Sequence, residues 1–150
     1  MKHFSGKVAA ITGAASGMGR QLAIRLAERG CHVAISDVNA AELEITAERA
    51  RAYGVRVSTR VLDVSDRASM QAWADDTAAE HGKVNLIFNN AGVALSSTME
   101  GVRYEDFEWI MGINFWGVVY GTKAFLPYLK AAGEGHVINT SSVFGLCSQP

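Results

Sequence analysis

The feature that most constrains the fold is a fourfold alternation of short apolar runs with helical stretches. The run from Lys7 to Thr12 is almost continuously apolar between two glycines, which is typical of a strand buried on both faces. Four later runs also predict strands, namely HVAIS (32–36), VRVSTRVLDV (55–64), VNLIF (84–88) and HVINT (136–140). Helical connections between strands imply parallel pairing with right-handed crossovers. The 150 residues therefore predict one α/β domain with a doubly wound parallel sheet.

Polar capping residues predict where the helices begin and end. Asn39 with Glu42 three residues later resembles a capping box that opens the second helix. Ser65 is the predicted N-cap of the third helix, which should run to Gly82. The stretch 104–132 predicts one long helix that bends near its proline.

A glycine-rich loop, TGAASGMG, follows the first predicted strand. Its glycines at 13, 17 and 19 allow a sharp strand-to-helix turn, and they let a pyrophosphate approach backbone N–H groups. The N-terminus of the following helix adds a partial positive charge toward the phosphates. A tight turn with close helix packing and no ligand is the alternative. The position of the loop between a buried strand and a helix favours dinucleotide binding.

Asp37 ends the second strand, about twenty residues beyond the glycine loop. A carboxylate there can accept hydrogen bonds from the adenosine ribose, and it would repel a 2′-phosphate. No Arg or Lys follows at positions 38 and 39, and Ser16 in the loop is not basic either. These absences predict NAD rather than NADP, while a capping or turn role for Asp37 is the alternative.

Composition excludes several classes of function. The formal net charge of −1 does not favour binding of nucleic acid or of an anionic membrane. Cys31 and Cys147 are far apart and outside any metal-ligand spacing, so we expect small buried or half-buried thiols in a reduced, cytoplasmic protein. No signal peptide or metal site is evident, and we expect all four histidines, including His81, in solvent or capping roles.

Five motifs occur in order at the predicted strand ends or in the long helix. They are the Gly-x-x-x-Gly-x-Gly spacing of 13–19, LDV (62–64), NNAG (89–92), INFWGV (113–118) and INTSSVFG (138–145). Together they resemble the short-chain dehydrogenase/reductase family over essentially the whole chain. The resemblance implies a Rossmann-like fold and hydride transfer between a nicotinamide and a secondary alcohol or its carbonyl. The motif NNAG and the setting of Ser142 disfavour other nucleotide binders such as methyltransferases.

The resemblance also implies roles for individual residues in cofactor binding. The pyrophosphate and ribose cradle would comprise Thr12, Gly13, Ser16, Gly17, Met18 and Gly19. Asp63 and Val64 would meet the adenine ring. Asn89 would brace the central sheet, and the backbone of Asn90, Ala91 and Gly92 would line the cofactor.

Two further residues are implied to serve catalysis. Asn114 matches a family position in a locally distorted helical turn that holds a proton-relay water, although a packing amide is the alternative. Ser142, rather than Ser141, matches the serine that orients the substrate, because it directly precedes VFG. A serine that simply ends a strand is the alternative here.

The family's catalytic Tyr-x-x-x-Lys motif is missing from the sequence. None of the four tyrosines has a lysine four residues later. We therefore expect a cofactor-binding front portion of a dehydrogenase that is inactive alone, with its fifth strand as an exposed edge. A non-catalytic nucleotide-binding or interaction module, completed by another chain, is the alternative. Phe144 and Leu146 indicate an apolar substrate pocket, and family members are often homodimers or homotetramers.

Overall fold

The computed structural model describes residues 3–145 and 147, and within them the predicted parallel sheet is confirmed. Its strands are β1 Val8–Thr12, β2 His32–Asp37, β3 Val57–Val61, β4 Leu86–Asn89 and β5 His136–Asn139. All pair in parallel in the order β3-β2-β1-β4-β5. The strand order reverses beside β1, because the chain crosses from β3 at one edge to β4 on the far side of β1. This is the doubly wound Rossmann-like arrangement, with a crevice at the reversal.

The helices cover both faces of the sheet. They are α1 Gly17–Glu28, α2 Ala40–Arg51, α3 Arg67–His81, α4 Tyr104–Met111 and α5 Gly117–Ala131. One apolar core joins α1 and α2 to the sheet, and a second joins α3 and α5 to its opposite face. Successive residues of a strand point to opposite faces, so Ala9 and Ile11 enter the first core and Ala10 the second. This explains why β1 is apolar at consecutive positions.

The capping of α2 agrees with the sequence, but that of α3 does not. The Asn39 side chain accepts a hydrogen bond from the Glu42 N–H, which is one half of the predicted capping box. The other half is not formed, because the Asn39 N–H donates to Asp37 and the Glu42 carboxylate pairs with Arg20. The N-cap of α3 is Asp66 rather than Ser65, so that prediction is wrong by one residue. Asp66 accepts from the Ser69 hydroxyl and from the N–H groups of Ser69 and Ala68, and these hydrogen bonds lower its pKa. Serine and aspartate are both good N-caps, and adjacent candidates leave the start of a helix ambiguous in sequence.

The predicted long helix is interrupted at its middle. Residues Gly112–Trp116 form a π-helical segment between α4 and α5. Its location matches the distorted turn that the family resemblance implies around Asn114. A π-segment leaves no simple periodic signature, whereas a helical proline is easily read from sequence.

The edges of the sheet carry its more exposed strands. Strand β3 lies at one edge and has partly exposed residues, as its alternating sequence predicted. At the other edge, β5 is confirmed as an exposed strand, with Val137 37% exposed. Among aromatic residues of the long helical segment, Phe125 is buried edge-to-face against Trp73, with ring centroids 5.0 Å apart. Trp109 and Trp116 are about half exposed, at 48% and 46%.

Two side chains differ from the sequence expectation in their burial. His81 is buried at the end of α3, with Nε2 2.8 Å from the Ser58 hydroxyl, rather than in a solvent or capping role. Burial lowers its pKa to about 4, and the positive charge of Arg56 acts in the same direction. Cys31 is buried as expected, and burial raises its pKa to about 12, but Cys147 is exposed.

Candidate functional site

The carboxyl ends of β1, β2 and β4 open into a cleft of about 500 Å³. Backbone pairing aligns these ends, because Ile11 of β1 lies opposite both Ile35 of β2 and Phe88 of β4. The residues lining the cleft are Gly13, Ser16, Gly17, Met18, Asp37, Val38, Leu62, Asp63, Val64, Asn90, Ala91, Gly92, Val93, Trp109 and Ile113. The cleft therefore lies where a doubly wound sheet usually binds its ligand.

Three glycines shape the floor of the cleft in different ways. Gly13 has φ +65°, and a Cβ there would come within 2.7 Å of the Ala91 Cα, so the two loops touch through backbone. Gly17, which lines the cleft, has φ +51° and no atom within 4 Å of an added Cβ, so the space beside it is open. An added Cβ at Gly19 would overlap the Gly13 carbonyl oxygen. Gly13 and Gly19 thus allow close packing, and Gly17 leaves room for a ligand.

Asp37 lies on the wall of the cleft with its carboxylate held by the backbone. Oδ2 accepts from the Ala15 N–H at 2.9 Å, and Oδ1 accepts from the Asn39 N–H at 3.0 Å. A carboxylate oxygen can accept more than one hydrogen bond, so this arrangement fixes Asp37 without exhausting its capacity as an acceptor. The turn role and the ligand role considered from sequence are therefore compatible in one residue.

A second carboxylate and an apolar surface form the neighbouring wall. Asp63 Oδ1 accepts from the Ser65 N–H at 2.9 Å and from its hydroxyl at 2.8 Å. Next to it, Val64 is 7% exposed and packs under α5, where a Cβ on Gly117 would come within 2.8 Å of Val64 Cγ2. A flat group bound against this wall could pack on Val64 and donate a hydrogen bond to the Asp63 carboxylate.

Polar side chains at the ends of β1 and β4 lock the two loops together. The Thr12 hydroxyl accepts from the N–H groups of Asn90 at 2.9 Å and of Ala91 at 3.0 Å. The Asn90 amide donates to the Thr12 carbonyl at 3.0 Å and accepts from the Thr140 hydroxyl at 3.2 Å. Asn89 donates to the Thr122 hydroxyl and to Asn139 Oδ1, joining β4 to α5 and β5.

Asn114 lies in the π-helical segment, facing the loop after β4. Its Oδ1 accepts from the Val93 N–H at 2.9 Å, and its Nδ2 donates to the Val93 carbonyl at 2.8 Å. The Asn114 side chain therefore satisfies both backbone hydrogen-bonding groups of Val93, as a neighbouring strand would. Its location brings a polar side chain from the helical layer to the rim of the cleft.

Ser142 lies in the exposed loop after β5 and outside the residues that line the cleft. Its Oγ accepts from the Phe144 N–H at 3.2 Å, and the short 3₁₀ turn Val143–Gly145 follows. Phe144 is 65% exposed, and Leu146, the other residue expected in an apolar pocket, lies outside the described residues.

The cleft gathers most of the residues predicted for cofactor binding. All of them line it except Thr12 and Gly19, which lie behind the loops and hold them in place. Sequence reasoning missed Trp109 and Ile113, four residues apart on one helical face. It also missed three residues next to predicted site residues, namely Val38, Leu62 and Val93. The helical spacing of Trp109 and Ile113 was a usable signal, but it does not reveal which layer the helix packs against.

The charge of the cleft is negative. Asp37 and Asp63 are the charged residues of its lining, and none of the described lining residues is basic. Among residues 3–145 and 147 there is no cluster of three or more His, Cys, Asp or Glu side chains suited to a metal ion. Within the same part of the chain, no helix has the length and apolar character needed to cross a membrane.

Comparisons with known proteins agree with this geometry. A family model described as short chain dehydrogenase matches residues 7–150. The oxidoreductase SadH of Mycobacterium tuberculosis is 46% identical over 150 residues, which are 100% of this chain and 54% of that protein. A short chain dehydrogenase/reductase from Burkholderia phymatum, crystallised with NAD, is 41% identical with a TM-score of 0.96 over 100% of this chain and 54% of its own. Carveol dehydrogenase from Mycobacterium avium, also in complex with NAD, is 29% identical with a TM-score of 0.95 over 100% of this chain and 59% of its own. The chain spans about half the length of the relatives that it matches.

Proposed function

Because this chain belongs to the short-chain dehydrogenase family, we propose that residues 1–150 form the NAD-binding unit of an oxidoreductase acting on a secondary alcohol or ketone. The observation that carries the proposal is the cleft at the strand-order reversal, lined by the glycine loop and by Asp37. The relatives crystallised with NAD support the choice of a nicotinamide cofactor.

The glycine loop and the start of α1 fit a pyrophosphate. Ser16 occupies the N-cap position of α1, yet its side chain makes no capping hydrogen bond to the helix. The first turn of α1 contains no acidic residue. The N-terminal N–H groups and the Ser16 hydroxyl can therefore serve an anionic group in the open space beside Gly17.

The acidic wall of the cleft fits an adenosine that carries free ribose hydroxyls. Asp37 would accept from these hydroxyls, and Asp63 would accept from the exocyclic amine of adenine beside Val64 and Trp109. A 2′-phosphate would meet the Asp37 carboxylate without a compensating cation, since no described lining residue is basic. This balance of charge supports NAD over NADP.

The reactive end of the site involves Asn90, Gly92, Asn114 and Ser142. When bound, the nicotinamide would supply the chemistry of accepting or donating a hydride. Asn114, whose amide is already hydrogen-bonded to the Val93 backbone, would also hold a water for proton relay. Ser142 would orient the substrate oxygen. The Tyr-x-x-x-Lys motif is not among these 150 residues. We therefore expect this chain to bind the dinucleotide without turning over substrate.

Tryptophan fluorescence during titration with NAD tests the proposal. Trp109 lines the cleft, so NAD should quench its emission by contact, and Trp109→Phe should remove most of that quenching. Trp116→Phe is the matched control, because Trp116 is similarly exposed but does not line the cleft. Calorimetry in parallel should show that NAD binds at least about tenfold more tightly than NADP, a difference of about 1.4 kcal/mol.

Two outcomes of this titration would contradict the proposal. If calorimetry detects no binding of NAD to the folded chain, the cleft is not a dinucleotide site. Equal affinities for NAD and NADP would reject the role of Asp37 in cofactor selection. Turnover of secondary alcohols by this chain alone would contradict the expected inactivity and would show that its own residues supply the general base. Binding without turnover is expected both for the NAD-binding unit of a dehydrogenase and for the alternative, a non-catalytic nucleotide-binding module.

A further inference from the structure

We propose that Arg20 is a positioning residue for the Asp37 carboxylate, acting through the glycine loop and thereby setting recognition of the adenosine 2′-hydroxyl. The inference rests on the proposed function, because it assumes that Asp37 meets the ribose. It concerns a side chain that lies outside the lining of the cleft and belongs to none of the motifs.

Arg20 extends from the first turns of α1 behind the glycine loop. Its side chain is only 16% exposed, and its guanidinium makes several polar contacts. Nη2 donates to Glu42 Oε2 at 2.5 Å and also to the Ala15 carbonyl. Nε donates to the Thr46 hydroxyl at 3.0 Å. A guanidinium with several simultaneous partners has a fixed orientation, so Arg20 clamps the loop to α2.

Thr46 strengthens the same clamp from within α2. This residue is fully buried, and its hydroxyl donates to the Ala14 carbonyl at 2.9 Å while it accepts from Arg20. Both carbonyls of the Ala14–Ala15 pair are therefore held by side chains from outside the loop. The orientation of these peptide groups is consequently determined by α1 and α2.

Ala15 transmits that orientation to the site. The carbonyl of Ala15 accepts from Arg20, while its N–H donates to Asp37 Oδ2 at 2.9 Å. The other carboxylate oxygen is held by the Asn39 N–H, and Asn39 in turn caps the N–H of Glu42. The contacts thus close a ring that runs from Arg20 through Ala15, Asp37, Asn39 and Glu42 back to Arg20.

The ring determines which direction the carboxylate can face. If Arg20 is removed, the Ala15 carbonyl loses its side-chain partner and the Ala15–Ser16 peptide group can rotate. The adjoining Ala14–Ala15 peptide group, which carries the N–H that donates to Asp37, is then held less firmly. The carboxylate then gains rotational freedom, and its hydrogen bond to a ribose hydroxyl weakens. A purely structural role for Arg20 would instead weaken binding of every adenine nucleotide equally.

The test compares the affinity of the chain for ADP-ribose with that for the analogue lacking the adenosine 2′-hydroxyl. The wild-type chain should prefer ADP-ribose about tenfold or more, as expected for a hydrogen bond to a carboxylate. Arg20→Met should reduce this preference to about threefold or less, and Arg20→Lys should restore part of it. Arg25→Met is the matched control, because Arg25 lies in the same helix and pairs with Glu28 at an exposed position.

Two further variants make the test independent of any loss of folding. Thr46→Val removes the second hydrogen bond to the loop and should lower the preference in the same direction. The double variant Arg20→Met/Asp37→Ala should show no lower preference than Asp37→Ala alone, because both changes act on one carboxylate.

Each result separates the inference from the proposed function. If the wild-type chain binds neither ligand, the proposed function fails. If it binds ADP-ribose with the expected preference and both Arg20→Met and Thr46→Val leave that preference unchanged, the proposed function stands and the positioning role is rejected. Absence of any preference in the wild-type chain also rejects the role.

Discussion

At the scale of single residues, Asn89 shows how one polar side chain organises the sheet. It is 3% exposed, and its Nδ2 group joins α5 and β5 to β4. Its Oδ1 is buried against Gly121 and has no hydrogen-bond partner among the described residues. The helix can approach this oxygen only because residue 121 has no side chain.

Gly121→Ala is therefore expected to destabilise the chain by about 1–3 kcal/mol, since the new methyl group would overlap Asn89 Oδ1. Urea unfolding measures the loss. Gly112→Ala is the control in the same helical segment, where an added Cβ would only touch Ser65 Cβ at 3.4 Å. Equal losses in the two variants would contradict the packing argument.

His81 is expected to make the stability of the fold depend on pH. Its pKa is about 4 in the folded chain, against about 6.5 in the unfolded chain, so the unfolded state binds more protons between these values. Stability contributed by neutral His81 is fully present above about pH 6.5 and is lost as the pH falls toward 4, by about 2–3 kcal/mol. Urea unfolding at several pH values should show a smaller loss for His81→Gln than for the wild-type chain. An identical pH dependence would contradict this.

At the scale of secondary-structure elements, the interruption of the long helix is the consequential feature. The π-helical segment Gly112–Trp116 separates α4 from α5 and places Asn114 against Val93. Trp109 on the preceding turn and Ile113 within the segment both reach the cleft. The irregular segment therefore joins the helical layer to the candidate site, as distorted helical turns often do at functional positions.

The start of α3 supports a prediction at the same scale. Asp66→Ala should cost about 1 kcal/mol of unfolding free energy, because it removes the acceptor of two N-terminal N–H groups. Ser65→Ala should cost less than about 0.5 kcal/mol, because Ser65 bonds to the Asp63 side chain rather than to the helix. Thermal and urea unfolding of the two variants distinguish them. A larger loss of unfolding free energy for Ser65→Ala than for Asp66→Ala would show that Ser65 is the N-cap.

At the scale of the whole molecule, the two apolar cores share one sheet. Val8, Ala9, Ala10 and Ile11 of β1 are fully buried, with a strand on each side and helices on both faces. By contrast β5 has a strand partner on one side only and is largely exposed. Protection of the backbone should therefore decrease from the centre of the sheet to its edge.

Native-state hydrogen exchange of this chain is expected to show that gradient. The amides of Ala9 to Ile11 should exchange most slowly, near the limit set by global unfolding. The N–H groups of His136 and Thr140 donate to the carbonyls of Asn85 and Asn89, so the alternation of the strand directs the Val137 N–H away from β4. Val137 should then exchange much faster than Ile138. Equal protection of these neighbours would indicate that another strand covers the edge of β5.

The sequence by itself determined the class of fold and most of the candidate cleft. Apolar runs of strand length, helical spacing and glycines at the turn are local signals, so they predicted the order of elements and the positions of Gly13, Gly17 and Asp37. The motif matches added Asp63 and the loop Asn90–Gly92. These residues follow strands that all run in one direction, so their coming together is a direct consequence of parallel pairing.

Only the tertiary structure decided which side chains from other layers complete the site. Trp109 of α4 lines the cleft together with residues that follow β1, β2 and β4, and Arg20 meets Asp37 indirectly because α1 and α2 lie side by side. The burial of His81 was decided in the same way, by its contact with Ser58 from a strand far away in sequence. Such contacts depend on how whole elements pack, and a local pattern of residues does not encode that packing.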